Sequence, residues 1–248
     1  FIEIDKDDKN LWLLIHCGSR NFGHKICTYH QDQADKAYNK KMQGLRDKVI
    51  DYPNQEKASY LKSLDAMKLA PDLRYLEGDL LDKYIEHMKV AQEFATLSHK
   101  VIAHEICSRM GWRVLETIFT NHNYIEFIGK REMIIRKGAV SAKAGETLII
   151  PLNMRDGSLI CRGKGNAEWN FSAPHGAGRV LARGAAKREL SLDEFKETMK
   201  DVWSTSVCQG TLDESPMAYK DMNIILDSIG EAVEIVNRIL PVYNFKAV

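Results

Sequence analysis

The chain has 248 residues, enough for one large domain or two small ones with a well-buried core. Its 35 lysines and arginines nearly balance its 34 aspartates and glutamates, so a polyanion-binding charge over the whole molecule is excluded and any nucleic-acid contact needs a local basic surface. The five scattered cysteines include no CxxC pair, which favours a reducing, cytoplasmic compartment. The sequence has no stretch of about 18 apolar residues, so no membrane span is expected.

The first half of the chain is predicted to be mainly helical. It opens with an apolar strand pattern that lacks an initiator methionine and a signal peptide, so we expect an N-terminally truncated chain. Residues 11–15 (LWLLI) predict a buried strand that ends at a glycine turn. Helical patterns cover residues 23–44 and 79–110, and residues 53–78 predict a short helix flanked by loops.

The second half begins with strands and returns to helices. Short β-rich runs separated by Gly, Pro, Asn and Asp predict a sheet between residues 113 and 163. Helices are expected at 176–188 and 191–201, the latter after a capping box, and at 221–238 before an extended tail. Because strands and helices are grouped rather than alternating, the sequence predicts an α+β fold.

Residues 170–187 (NFSAPHGAGRVLARGAAK) place His175 directly before a Gly-Ala-Gly, and cations follow it. If a helix begins there, its free N–H groups and dipole favour an anion beside the imidazole. Arg179 would lie one turn away and could bind a phosphate. A histidine that merely caps a packed helix start leaves the same pattern, so both interpretations stand.

Two further histidines lie at predicted strand ends. His16 precedes the glycine turn in HCGSRNFGH, and His122 lies between two asparagines. Each fits a metal ligand or phosphate contact, and each also fits a surface turn. Three such histidines together predict that they converge. The histidines of the long predicted helix fit solvated or core positions instead: His87, His99 and His104.

Other residues leave two interpretations open. Cations among the glycines of residues 136–164 fit either a basic surface flanking His175 or an ordinary solvated sheet; they are Arg136, Lys137, Arg155, Arg162 and Lys164. Tyr219, beside Lys220 in a predicted loop, fits either a ring that stacks on a base or a core residue.

At these residues the sequence resembles the RtcB family, RNA-splicing ligases that use GTP and manganese. The matching motifs appear in family order: FIE (1–3), HCGSRNFGHKI (16–26), NHNYIE (121–126), RKGA (136–139), PLNMRDGS (151–158), HGAGR (175–179), DESPMAYK (213–220) and YNFKA (243–247). The resemblance implies a single RtcB-like domain over residues 1–248, with mixed sheets, surrounding helices and a central active-site cleft.

The resemblance also implies a role for each matched residue. His175 matches the nucleophile that takes GMP from GTP, and His16 and His122 match metal ligands. Glu3 and Lys246 match residues that recognise the guanine edge. The full set expected around the nucleotide is Phe1, Glu3, Asn123, Asn153, Ser158, Ala177, Gly178, Arg179, Tyr219 and Lys246; Tyr219 matches the ring that stacks on the base.

The implied reaction joins RNA 3′-phosphate or 2′,3′-cyclic phosphate ends to 5′-hydroxyl ends through a histidine–GMP intermediate, in tRNA splicing or RNA repair. Two Mn²⁺ ions are expected in the full-length protein, and a helper protein is a possible partner. Two alternatives stay open: a non-catalytic nucleotide- or RNA-binding relative, and a metal-dependent phosphoesterase that uses His16 and His122.

The sequence departs from the family pattern in two respects. The family's Asp-x-x-Cys pair and a histidine before the phenylalanine, all metal ligands, are not in this chain, so we expect the chain alone to be inactive. Cys17 is not expected to replace them, because successive strand residues point to opposite faces. Ala182 and Phe171 stand where the family often has serine and cysteine.

Overall fold

A computed structural model describes residues 1–129 and 132–247. Lys130 and Arg131, inside the predicted sheet region, and Val248, at the end of the predicted tail, lie outside the described residues. The chain divides into two compact units, one formed by Phe1–His16 with His99–Val248 and the other by Cys17–Ser98. The single domain over residues 1–248 stays a prediction.

The unit Cys17–Ser98 is helical. It contains α1 (Arg20–Asp47), α2 (Asn54–Ala66) and most of α3 (Asp79–Met110), linked by short 3-10 turns. The predicted helices at 23–44 and 79–110 and the short helix within 53–78 are confirmed, although α1 is longer than its pattern. Acidic residues occupy the first turn of α3, where they complement the helix dipole.

The other unit is built on a six-stranded sheet with the order β2-β1-β10-β7-β6, and β9 pairs with β10. The strands are β1 (Ile2–Lys6), β2 (Leu11–Ile15), β6 (Thr147–Asn153), β7 (Gly157–Gly163), β9 (Trp203–Ser204) and β10 (Val233–Phe245). Only β9 runs parallel to its neighbour among these pairs.

Two small antiparallel ladders carry the predicted site segments. One pairs β3 (Asn123–Phe127) with β4 (Met133–Lys137), and the other pairs β5 (Ala139–Ser141) with β8 (Ser172–Pro174). The sheet predicted between 113 and 163 therefore begins only at Asn123. Residues 113–122 form no strand, because β-rich composition does not by itself supply a neighbouring strand.

The remaining helices are α4 (Arg183–Glu189), α5 (Leu192–Thr198) and α6 (Met222–Ser228). The helix at 191–201 is confirmed, and the Ser191 side chain accepts hydrogen bonds from the amides of Asp193 and Glu194 as its N-cap. The predicted start at 176 was wrong, because helix α4 begins seven residues later, after an irregular loop.

The helix predicted over residues 221–238 was also wrong. Helix α6 ends at Ser228, and β10 begins at Val233. The β-branched residues after Gly230 favour a strand, and β10 has pairing partners on both edges, β1 and β7. Pro241 is tolerated in β10 because the register of the β1 ladder shifts there.

The main core of this unit packs one face of the sheet against α6. Alternate residues of β6 point inward, as expected for a strand with one buried face. The buried members of this core include Leu148, Ile150, Leu159, Cys161 and Val233 from the sheet, with Ile225 and Ile229 from the α6 region. Each such side chain contributes about 1.5–3 kcal/mol on burial. The α+β class is confirmed, and no helix within residues 1–129 and 132–247 combines the length and apolarity needed to cross a bilayer.

Candidate active site

His175 lies directly after β8, in the loop that precedes α4. Its Nδ1 is 2.7 Å from the carbonyl oxygen of Gly138. A carbonyl can only accept, so in the neutral imidazole Nδ1 carries the proton and Nε2 has the lone pair. The local structure therefore selects one tautomer of the neutral ring, with Nε2 as the nitrogen that is available to a ligand or substrate.

Gly138 connects two of the candidate histidines. Its amide donates to the His122 carbonyl at 2.9 Å, while its own carbonyl accepts from His175. Gly138 has φ +75°, and a Cβ at this position would lie 3.3 Å from the Cε1 atom of His175. A glycine is needed here both for its backbone conformation and for the close approach of the ring.

The three predicted histidines are brought together in a row of rings that begins at Phe1. The ring centroids are 5.0 Å apart for Phe1 and His16, 5.1 Å for His16 and His122, and 4.7 Å for His122 and His175. Phe1 reaches His16 because β1 and β2 form a hairpin in which the His16 amide donates to the Phe1 carbonyl. Their positions at strand ends are thus what allows them to meet.

The environment of this row keeps two of its imidazoles neutral. His16 lies between two rings, and the resulting desolvation, with the nearby His122, lowers the pKa of His16 to about 4. Burial also lowers the pKa of His122, and its buried Nδ1 has no hydrogen-bond partner among the described residues, 1–129 and 132–247. Neutral imidazoles with an available lone pair suit a borderline divalent metal.

The two histidines do not form a complete metal centre. Within residues 1–129 and 132–247, no three His, Cys, Asp or Glu side chains cluster in a way that could hold a metal ion. That Cys17 does not complete the site stays a prediction. His16 and His122 fit the role of partial ligands, because a catalytic site uses about three protein ligands.

The first strand and the chain's last residues bring two carboxyls and one ammonium together. Glu3 and Asp5 are buried on β1, and the Lys246 ammonium lies 3.9 Å from the Phe1 ring centroid and 3.7 Å from a Glu214 oxygen. Burial raises the pKa of Glu3 to about 7, although Lys246 opposes this effect. Burial and the Glu3 carboxylate raise the pKa of Asp5 to about 9.

The sequence predicted that Arg179 lies one helical turn from His175. This was wrong, because the segment that carries both residues is irregular and α4 begins only at Arg183. Its guanidinium covers the Tyr219 ring at 4.7 Å and donates to Glu214 at 2.9 Å and to the Tyr219 hydroxyl at 3.0 Å. The Tyr219 hydroxyl in turn donates to Glu214 at 2.9 Å. Burial acts to raise the pKa of Glu214, but Lys246, Tyr219 and Arg179 together outweigh burial and lower this pKa.

The other residues implied around the nucleotide lie on three segments. Asn123 begins β3 opposite Lys137, and its backbone N–H donates to the Asn121 side-chain oxygen at 3.2 Å. Asn153 ends β6 and donates to Asp156 at 2.8 Å, while the buried Ser158 hydroxyl on β7 has no hydrogen-bond partner within residues 1–129 and 132–247. Ala177 is buried, and Gly178 has φ +72°. Nothing in these contacts tests their roles, which stay predictions.

Several cations expected on a basic surface are already engaged. Arg136 is buried and donates to Glu126 at 2.6 Å, to Tyr124 at 2.9 Å and to Ser172 at 2.9 Å. Arg155 donates to Asp156 at 2.8 Å. Arg136 is therefore a structural residue that ties β3 and β4 to β8.

Sequence reasoning singled out none of Asp5, Gly138 and Glu214 as site residues. Gly138 and Glu214 lie inside the matched motifs RKGA and DESPMAYK, but the candidate residues named in these motifs were their neighbours. Asp5 could have been found from the sequence, because it lies two residues from Glu3 in a predicted strand. Alternate residues of a strand point to the same face, and here that face is buried.

Comparison with known proteins identifies the class. The family model described as tRNA-splicing ligase RtcB matches residues 2–247, so the chain belongs to the RtcB family.

Particular relatives span bacteria and archaea. The RNA-splicing ligase RtcB of Escherichia coli K12 is 30% identical over 252 residues, which cover 95% of this chain and 56% of the relative. The tRNA-splicing ligase RtcB of Aeropyrum pernix is 26% identical, covering 85% of this chain and 46% of the relative. The chain thus spans about half the length of these curated relatives.

Proposed function

We propose that this chain carries the nucleotidyl-transfer site of an RNA ligase that joins 3′-phosphate or 2′,3′-cyclic phosphate ends to 5′-hydroxyl ends, in tRNA splicing or RNA repair. The observation that carries the proposal is the hydrogen bond from His175 Nδ1–H to the Gly138 carbonyl. It presents a neutral nitrogen lone pair at Nε2, which is what a nucleophilic histidine needs. The names of the relatives and the family match supply the RNA-ligase class.

In the first step, Nε2 of His175 attacks the α-phosphorus of GTP. A P–N bond forms, the bond to the β-phosphate oxygen breaks, and pyrophosphate leaves. The Gly138 carbonyl stabilises the positive charge that develops on the imidazole, because it accepts the Nδ1 proton in a charge-assisted hydrogen bond.

In the following steps, an RNA 3′-phosphate oxygen attacks the same phosphorus and displaces His175. The 5′-hydroxyl of a second end then attacks the activated 3′-phosphate, and GMP leaves as the phosphodiester forms. Displacement returns His175 to its neutral form, so the same residue can accept GMP again in the next catalytic cycle. A 2′,3′-cyclic phosphate must first be opened to the 3′-phosphate by hydrolysis.

His16 and His122 would contribute to the binding of manganese, because burial lowers the pKa of both and the buried Nδ1 of His122 has no partner in the part of the chain that the structure describes. A divalent ion supplies charge neutralisation for the leaving pyrophosphate. The His122 ring lies 4.7 Å from the His175 ring at an interplanar angle of 33°, and this proximity supports a metal site beside the proposed nucleophile.

The guanine would be recognised by the residues around Lys246. A Glu3 carboxylate accepts from the N1–H and amino groups of guanine, and the Lys246 ammonium donates to O6. Phe1 lies against Lys246 and offers an apolar surface. Tyr219 would stack on the base, on the ring face that Arg179 does not cover. Asn123, Asn153, Ser158 and the segment from Ala177 to Arg179 would hold the phosphates and ribose.

The test is replacement of the nucleophile in the natural protein. His175→Ala should abolish the covalent GMP adduct that forms with GTP and Mn²⁺, measured by intact-protein mass spectrometry, with little loss of stability because a half-buried loop side chain contributes little packing. His104→Ala, on the exposed surface of α3, is the matched control and should label normally. Normal labelling of His175→Ala would remove His175 from the mechanism. A wild-type protein that binds GTP without labelling would instead indicate a non-catalytic relative.

A further inference from the structure

Two carboxyl groups are buried side by side on β1. Glu3 and Asp5 are two residues apart, so their side chains point to the same face of the strand. Their exposed fractions are 3% for Glu3 and 0% for Asp5. Two ionised carboxylates in this position would repel each other without screening by water.

Asp5 lacks the donors that usually stabilise a buried carboxylate. Neither of its oxygens accepts a hydrogen bond from an N–H or O–H group of residues 1–129 and 132–247. Its cross-strand neighbours are Trp12, whose indole N–H donates to Asp7, and Pro241, which has no N–H. The polar side chain that shares its buried face of β1 is the Glu3 carboxyl.

A hydrogen bond between two carboxyl groups requires a proton on one of them. The surroundings of Glu3 and Asp5 decide which of the two carboxyl groups carries this proton. Burial disfavours the ionised form of Glu3, whereas Lys246, in the segment after β10, and the amino group of Phe1 favour it. The residues that β2 presents, Leu14 and Trp12, do not titrate. The groups that act on Asp5 are its own burial and Glu3, and both favour the protonated form.

We propose that Asp5 is a protonated positioning residue whose O–H donates to the Glu3 carboxylate. The bond fixes the orientation of the Glu3 oxygens and favours the ionised form of Glu3 against the effect of its burial, so that the carboxylate can accept from guanine. This role rests on the proposed function, because it deepens the guanine recognition assigned to Glu3. Asp5 would determine specificity for guanine without touching the nucleotide.

The first experiment detects the proton itself and needs no activity. Difference infrared spectra of the wild-type protein and Asp5→Asn at pH 7 should show the C=O stretch of a protonated carboxylic acid in the wild type. The band should disappear from the wild type as the pH rises past about 9. Absence of the band at pH 7 would overturn the proposal.

The second experiment measures nucleotide selectivity. Asp5→Asn keeps a donor, since its amide N–H can bond to Glu3, whereas Asp5→Leu removes the donor at similar size. Asp5→Leu should lose roughly 10- to 100-fold in GTP affinity, the effect of a lost hydrogen bond to a charged group, with little change for ATP. Asp5→Asn should restore most of that affinity. Binding is measured by calorimetry, and circular dichroism confirms that each variant is folded.

The outcomes separate the two proposals. Equal losses for GTP and ATP in Asp5→Leu, or no loss at all, would overturn the positioning role while the function stands. A folded wild-type protein that does not bind GTP would overturn the proposed function, and the guanine role of Asp5 with it. If Asp5→Leu does not fold, two measurements still decide the inference: the infrared band of the wild type and the GTP affinity of Asp5→Asn. Asp5→Asn keeps a donor to Glu3, so a large loss of GTP affinity in this variant would overturn the positioning role.

Discussion

A methyl group at Gly138 should disturb the candidate nucleophile through a measurable contact. The Cβ of Gly138→Ala would lie 3.3 Å from Cε1 and 3.5 Å from Nδ1 of His175. The ring must therefore retreat by a few tenths of an ångström, which lengthens the 2.7 Å hydrogen bond that fixes its tautomer. The backbone at φ +75° adds a strain of roughly 1–2 kcal/mol for any residue with a Cβ.

Gly145 supplies the matched control. It has φ +80°, and a Cβ there would meet no atom within 4 Å. Gly145→Ala therefore carries the same backbone strain without the contact to His175. Urea unfolding should give both variants a loss of about 1–2 kcal/mol in the free energy of unfolding.

The two variants should differ in chemistry. A misplacement of about 1 Å can cost about 100-fold in rate, so a smaller shift should slow GMP transfer to His175 by roughly tenfold in Gly138→Ala. Gly145→Ala should react at the wild-type rate when both are assayed with GTP and Mn²⁺ in the natural protein. Nitrogen NMR of His175 should show a mixed tautomer only in Gly138→Ala. Equal rates and equal spectra for the two variants would refute the role of Gly138.

The remaining predictions concern the carboxylates and the tyrosine. Glu3→Ala should weaken GTP binding by about 1–3 kcal/mol more than ATP binding, and equal losses in calorimetry would make Glu3 a structural residue. Because the pKa of folded Asp5 is raised, the native state holds an extra proton between about pH 4 and 9, so the unfolding free energy should fall with rising pH by up to about 1.4 kcal/mol per unit. Asp5→Asn should lack this component in urea titrations at pH 6 and 8, and identical slopes would contradict it. Tyr219→Phe should lower the unfolding free energy by about 1–3 kcal/mol, since its hydroxyl bonds to Glu214 and Arg179; an unchanged midpoint would show those bonds to be unimportant.

Local patterns predicted the elements that need no distant partner. The apolar spacing over 79–110 specifies α3, and Ser191 specifies the start of α5, because each signal acts within a few residues. The strand β10 could not be predicted in this way. Its residues fit a helix pattern, and what makes them a strand is pairing with β1 and β7, which lie far away in sequence.

The same distinction applies to the candidate site. The positions of His16, His122 and His175 at predicted strand ends predicted that they converge, and the structure brings them together. The groups that prepare them chemically were not predictable, because they act through the backbone or through burial. A glycine carbonyl leaves no mark of its own in the sequence, and the environment of Asp5 depends on which residues β2 and β10 place opposite it.

Arg136 explains how two of the histidines keep their relative positions. Its guanidinium, on β4, donates to Glu126 on β3 and to Ser172 on β8. His122 directly precedes β3 and His175 directly follows β8, so one buried cation joins the two strands that carry them. Gly138, two residues along from Arg136, then bonds to both histidines. A charge that fits RNA binding in the sequence therefore holds the candidate nucleophile beside a candidate metal ligand. Any basic surface that contacts RNA in the proposed function would have to come from other residues.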